Sequence, residues 1–67
     1  MPKDLPLFEK GDSVRYEGKT FTVGGVSYNE SIGEYIYVLE RHDYLMSLYV
    51  RHSEAKDRVR KTSGSFL

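Results

Sequence analysis

Two histidines are the side chains in this sequence best suited to binding a metal ion. They are His42 and His52, and the chain has no cysteine. A zinc site needs three or four ligands that converge, and only Asp43, Glu40 and Glu54 could join a histidine here. His42-Asp43 is expected in a tight turn, where polar side chains are common. We therefore predict no metal site and no cofactor.

The hydroxyl groups lack the arrangement that nucleophilic catalysis requires. None of the serines lies in a recognisable nucleophile motif. The pair Gly24-Gly25 does not have the spacing of a phosphate-binding loop. A chain of 67 residues also has little volume for a substrate pocket of the usual size. The sequence therefore predicts no catalytic residues and no enzymatic activity.

Length and composition indicate one small domain whose single core is only just sufficient. Without cysteine it cannot be stabilised by disulfides, which fits an intracellular protein. No apolar run is long enough to span a bilayer, and residues 1–4 lack the apolar core of a signal peptide. We therefore expect a cytoplasmic location without membrane association.

Basic side chains are concentrated in the last third of a chain whose formal net charge is zero. Such residues could contact a phosphate backbone. Glu54 and Asp57 are interleaved with them, and Glu54 has a favourable four-residue spacing from Arg58. A solvated helix face is the favoured interpretation, and nucleic-acid binding is the alternative. The candidate residues are Arg51, Lys56, Arg58, Arg60 and Lys61.

The strongest functional signal is a segment, residues 33–51, that is apolar at both sets of alternating positions. One set is assigned to the core. The other is predicted to bind a protein partner, because tyrosine offers a large contact area and is enriched at interfaces. This second set is Tyr35, Tyr37, Leu39, Leu45 and Tyr49. The alternative is that the chain's own ends, residues 5–8 or 66–67, cover this face.

The first predicted hairpin turns at Glu17-Gly18. A two-residue turn there gives the pairs Tyr16–Lys19, Val14–Phe21 and Asp12–Val23. The apolar parity then changes at Gly24-Gly25, which predicts a β-bulge in the second strand.

The second hairpin is predicted to close through a three-residue loop at residues 41–43. Its expected pairs are Glu40–Tyr44, Val38–Met46, Ile36–Leu48 and Glu34–Val50. A short helix then begins with Ser53 as its N-cap, and it places Ala55 and Val59 on one side. The expected core is Val14, Phe21, Val23, Ile36, Val38, Leu48 and Val50.

These elements predict a mainly β fold: a small, strongly bent antiparallel sheet or partly open barrel of four or five strands, with a short C-terminal helical turn. Residues 1–10 form an extended N-terminal arm, residues 11–61 the β domain, and residues 62–67 a flexible tail.

The opening segment contains the pattern Gly11-Asp12-x-Val14-x-Tyr16-x-Gly18-Lys19-x-Phe21-x-Val23. The later strands, Tyr35-Ile36-Tyr37-Val38-Leu39 and Leu48-Tyr49-Val50, are followed by the helical turn at Ser53. Over about residues 11–55 the chain resembles small SH3-like and KOW-type β-barrel proteins, many of which are accessory or regulatory modules of bacteria and phages. The resemblance implies an SH3-like barrel that binds proteins or nucleic acids, and it supplies no catalytic residues to carry over to this chain.

The leading hypothesis is a non-enzymatic protein-binding module, a small bacterial or phage regulator that acts on a larger host assembly in the cytoplasm, which is the host cytoplasm if the protein is phage-encoded. One alternative is a nucleic-acid-associated KOW-like module that uses the basic residues. The other is a self-associating structural subunit, joined by a two-fold interface or a continued sheet.

Overall fold

The computed structural model describes residues 5–41 and 46–62. Within these ranges the chain forms one open antiparallel sheet of five strands and one short helix, with the strand order β4-β3-β2-β1-β5. The prediction of a mainly β fold is confirmed. The elements are β1 Ser13–Tyr16, β2 Lys19–Asn29, β3 Glu34–Arg41, β4 Met46–Arg51, α1 His52–Arg58 and β5 Val59–Lys61.

The hairpin of β1 and β2 forms in the predicted register. Tyr16 pairs with Lys19 and Val14 pairs with Phe21. The φ angles of Glu17 and Gly18 are 53° and 76°. Two consecutive left-handed residues are characteristic of the type I′ turn, whose twist matches that of the flanking strands.

The predicted bulge in β2 is also confirmed. The register between β2 and β3 shifts between Val23 and Gly25. Neither Gly24 nor Gly25 has a positive φ, so the bulge does not depend on a left-handed glycine. A β-carbon on Gly24 would lie 2.3 Å from the carboxyl carbon of Glu40. The absent side chain at Gly24 therefore leaves room for the Glu40 carboxylate.

The predicted register of the second hairpin is wrong by three residues. Ile36 was expected opposite Leu48, but it pairs with Arg51, while Leu48 pairs with Leu39. A shift by an odd number of residues changes which side chains share a face. Because β3 is apolar at both sets of alternating positions, its hydrophobic pattern is compatible with either register.

The register places one face of the sheet over the core. Nine hydrophobic residues of the described ranges are buried: Phe8, Val14, Phe21, Val23, Tyr37, Leu39, Val50, Ala55 and Val59. The expected core residues Val14, Phe21, Val23 and Val50 are confirmed, and Leu48 packs against the cluster. Ile36 and Val38 were expected there as well. They are half-buried and lie on the opposite face, so this part of the prediction is wrong.

Helix α1 connects the two edges of the sheet. Ser53 is not its N-cap, since the helix begins at His52 and the cap position, Arg51, makes no side-chain capping bond. The Ser53 backbone N–H instead donates to Glu34 Oε1 on β3, at 2.8 Å. The chain then forms β5, which the sequence pattern did not predict and which pairs with β1 through Tyr16 and Val59.

The N-terminal arm covers part of the core. Phe8 is buried, and its ring meets that of Tyr37 edge-on with centroids 5.4 Å apart. The backbone N–H of Leu7 donates to the Tyr37 hydroxyl at 2.8 Å. Phe8 and the Leu7 backbone therefore cover the sheet at Tyr37, but Leu5 is 85% exposed, so the alternative in which residues 5–8 cover this face is confirmed only in part. Residues 66–67, the other candidate cover, lie outside the described ranges.

Candidate functional site

The five residues predicted to form a partner-binding face do not share a face. Tyr37 and Leu39 are fully buried. Tyr35 is half-buried and packs against the core. Of the four that the structure describes, only Tyr49 is fully open, with 74% of its surface exposed, and it lies on the opposite side of the sheet. Leu45 lies outside the described residues. The prediction of one common tyrosine face is therefore wrong.

The hydroxyl of Tyr37 links the N-terminal arm, the sheet and the helix. It accepts the bond from Leu7 and forms a second bond with Nδ1 of His52, at 2.8 Å. Burial raises the pKa of the Tyr37 phenol, and the bond from Leu7 acts in the opposite direction. The phenol therefore stays protonated at neutral pH. The Tyr37 hydroxyl therefore holds the N-terminal arm, the sheet and the helix together. Neither of the groups bonded to it belongs to a serine, cysteine or lysine nucleophile.

Two further tyrosines extend the same aromatic cluster towards the end of the β2–β3 hairpin. The rings of Tyr28 and Tyr35 meet edge-on at 5.3 Å, and the ring of Tyr35 lies 6.4 Å from that of Tyr37. His52 contacts the rings of both Tyr35 and Tyr37. Packing within the fold therefore accounts for the presence of Tyr28, Tyr35 and Tyr37.

Tyr16 fastens the helix to β1. Its hydroxyl donates to Glu54 Oε2 at 2.5 Å, and this bond raises the pKa of the Tyr16 phenol. Its ring also meets that of Phe21 edge-on, at 6.2 Å. Tyr16 is thus occupied by contacts within the fold.

Tyr49 is the one tyrosine of the described ranges for which the fold provides neither a ring contact nor a hydrogen bond. It lies directly opposite Val38, whose other neighbour, Gly25 on β2, has no side chain. Ile36 lies two residues from Val38 on the same face. We call Ile36, Val38 and Tyr49 the outer patch. It is apolar and adjoins the edge of the sheet that β4 forms.

The two edges of the sheet differ in how they are protected. Edge strands expose unpaired backbone groups, and natural proteins often protect them by short length and by charge. β5 has three residues, of which Arg60 and Lys61 are exposed. β4 has six residues, and from residue 47 onwards the exposed ones are Ser47, Tyr49 and Arg51. Within the described residues no strand pairs with the outer edge of β4.

The structure distributes the predicted nucleic-acid-binding residues over three elements. Arg51 ends β4, whereas Lys56 and Arg58 lie on α1. Arg60 and Lys61 are consecutive in β5, so their side chains point to opposite faces.

Two of these residues already have partners within the fold. The Arg60 guanidinium donates to the carbonyl oxygens of Lys56 and Val59, at 3.1 and 3.2 Å. The Lys61 ammonium pairs with the Asp12 carboxylate at 3.4 Å. These contacts engage Arg60 and Lys61 within the fold, and binding of nucleic acid by the five basic residues stays a prediction.

Comparison of the chain with protein-family models, with curated proteins and with solved structures found no match. Residues 5–41 and 46–62 contain no group of three or more acidic or histidine side chains placed to hold a metal ion. In the same part of the chain, no helix is long and apolar enough to cross a membrane.

Proposed function

We propose that this protein is a non-enzymatic protein-binding module that accepts an extended segment of another chain along β4. The observation that supports this proposal is Tyr49, a large aromatic side chain that is 74% exposed on an edge strand. A tyrosine that contributes little to its own fold can contribute most of its contact area to a partner.

Addition of a strand to a sheet edge provides both affinity and selectivity. Main-chain hydrogen bonds along β4 would supply affinity, and the alternating side chains of β4 would select the sequence that binds. On one face the added strand would lie beside Ser47, Tyr49 and Arg51. On the other it would lie beside Leu48 and Val50 and would extend the apolar layer.

We further propose that the domain is SH3-like. The bulge in β2, the hairpin of β3 and β4, and the short helix before β5 follow the plan that the resemblance implies. A small bacterial or phage regulator that works in the host cytoplasm would need such a surface to bind a larger assembly.

The test is affinity capture from nuclease-treated bacterial lysate with the tagged wild-type chain, Tyr49→Ala and Tyr28→Ala. Tyr28 is the matched control, since it is a partly exposed tyrosine on the other face of the sheet. We expect Tyr49→Ala to weaken capture of a specific partner by about 2 kcal/mol. Thermal melts verify that both variants are folded, and Tyr28→Ala should have the lower melting temperature because it loses the ring contact with Tyr35. A partner that is captured equally well by Tyr49→Ala would contradict the proposal.

A further inference from the structure

We infer that the segment bound by β4 is β4 of a second copy of this chain, related by a two-fold axis that passes between the two Tyr49 residues. This inference rests on the proposed function, because it names the partner of the same edge. The result would be one continuous antiparallel sheet that spans both copies.

Symmetry restricts the registers that such a pair can adopt. An antiparallel pair of edge strands is two-fold symmetric only about an axis perpendicular to the sheet, so each face of the sheet continues across both copies. Directly opposite residues must therefore come from the same face. The axis can pass through Leu48, Tyr49 or Val50, and each choice gives a different set of pairs.

The axis at Tyr49 places compatible side chains opposite each other along β4. On the core face, Leu48 lies opposite Val50 of the second copy, so the half-buried Leu48 gains an apolar neighbour. On the outer face, the two Tyr49 rings meet across the axis, next to Val38 of each copy. Cross-strand aromatic pairs of this kind stabilise antiparallel sheets.

The same axis also gives the charged residue of β4 a polar neighbour. Arg51 lies opposite Ser47 of the second copy, so the two guanidinium groups are kept apart. Both side chains are exposed in the single chain. An axis at Val50 would instead place Leu48 opposite His52, where the strand has ended and α1 begins. An axis at Leu48 would place Ser47 opposite Tyr49 and leave Arg51 without a partner on the second strand.

The other edge does not support the same kind of pairing. A two-fold axis in the three-residue strand β5 would place Arg60 opposite itself, and like charges directly opposite each other destabilise a sheet. The whole chain has a formal net charge of zero, so two copies approach without net repulsion. Of the two edges, β4 is therefore the one suited to a second copy.

The absence of native cysteine allows a direct test of the register by disulfide formation. Directly opposite residues of an antiparallel pair have Cα atoms about 4.5–5.5 Å apart, which is within the range for a disulfide. We expect an equimolar mixture of Ser47→Cys and Arg51→Cys chains to form a mixed covalent dimer under mild oxidation. Tyr49 remains intact in both variants.

Two controls make the crosslinking specific. Each variant alone should stay uncrosslinked, because its two identical positions lie four residues apart along the ladder, at about 13 Å. A mixture of Ser27→Cys and Arg51→Cys should also fail to crosslink, since Ser27 is an exposed residue of β2, away from the edge. Crosslinking of either control as fast as the test mixture would overturn the register.

Sedimentation of the unmodified chain tests the association itself. We expect a concentration-dependent dimer that Tyr49→Asp weakens at least about tenfold, since two carboxylates would face each other across the axis. Thr20→Asp introduces the same charge at an exposed position of β2 and should leave the dimer intact. The thermal stability of dilute samples verifies that both variants are folded.

A wild-type chain that stays monomeric at every soluble concentration would overturn the inference of a second copy. If that monomer still captures another protein in a Tyr49-dependent manner, the proposed function stands and only the second copy is excluded. If capture does not depend on Tyr49 either, both proposals fail.

Discussion

At the scale of single residues, Tyr37 joins the N-terminal arm, the sheet and the helix. Its ring is fully buried against Phe8, and its hydroxyl bonds to both Leu7 and His52. We expect Tyr37→Phe to lower the free energy of unfolding by about 1–2 kcal/mol, because the Leu7 N–H and the His52 ring nitrogen lose their common partner. Denaturant unfolding measures this loss.

Tyr49→Phe is the matched control for that substitution, since it removes a hydroxyl that makes no hydrogen bond within the described chain. It should leave the unfolding midpoint unchanged. Equal midpoints for Tyr37→Phe and the wild type would contradict the role of the Tyr37 hydroxyl.

Glu34 should make the stability of the fold depend on pH. The bond from the Ser53 backbone N–H, followed by that from the Ser53 hydroxyl, holds the pKa of the Glu34 carboxyl below its ordinary value of 4.5. The folded state thus favours the ionised carboxylate. Its stabilising contribution is complete above the ordinary value and is lost as the pH falls through the lower, folded-state pKa.

We therefore expect Glu34→Gln to reduce the loss of thermal stability on acidification, measured by melting curves from neutral pH downwards. Glu30→Gln, in the exposed loop between β2 and β3, controls for removal of one negative charge. An identical acid dependence for Glu34→Gln and Glu30→Gln would show that the bond to Ser53 does not determine this behaviour.

At the scale of secondary-structure elements, the turns decide which parts of the fold can be predicted. The β1–β2 hairpin was predictable because a two-residue turn with Gly18 fixes its register locally. The register of the β3–β4 hairpin was not, because β3 is apolar at both sets of positions and its loop contains no comparable signal. β5 was missed because one apolar residue, Val59, is too weak a pattern and its partner strand β1 is distant in sequence.

The undetermined register of the β3–β4 hairpin also explains why the candidate site was only partly predicted. Tyr49 was predicted from its residue type and its alternating position, and the structure leaves it exposed. Its neighbours Ile36 and Val38 were assigned to the core, because only the true register shows that they flank Tyr49 rather than Leu48. The N-cap prediction at Ser53 was wrong because the helix begins one residue earlier, at His52, and Ser53 lies in its first turn with its N–H bonded to Glu34 on β3.

Gly18, in the turn between β1 and β2, and Gly25, within β2, provide a matched test of the type I′ turn. Gly18 has a φ of +76°, whereas Gly25 has no positive φ and open space where a β-carbon would lie. We expect Gly18→Ala to lower the free energy of unfolding by about 1 kcal/mol or more, since alanine is strained in the left-handed region. Gly25→Ala should be close to neutral. Equal effects in denaturant unfolding would contradict the assigned turn.

At the scale of the whole molecule, the distribution of charge argues against a strong interaction with nucleic acid. The basic residues lie on three elements, and Lys61 is paired with Asp12. We expect gel-shift titrations with duplex DNA, single-stranded DNA and RNA at low salt to show weak binding at most. Tight, salt-sensitive binding would support the nucleic-acid alternative instead, provided that the double substitution Arg58→Glu and Lys61→Glu abolishes it.

The pairing of the first strand with the last has a consequence for the order of folding. Strands β1 and β5 are neighbours in the sheet but far apart in the chain: the hydrogen bond from the Thr62 hydroxyl to the Ser13 carbonyl, beside their ladder, joins residues 49 positions apart. The other three ladders join strands that are consecutive in the chain. Closing so long a loop is entropically costly, so β5 should dock after the transition state. Truncation of the buried Val59 would then accelerate unfolding and leave the refolding rate nearly unchanged.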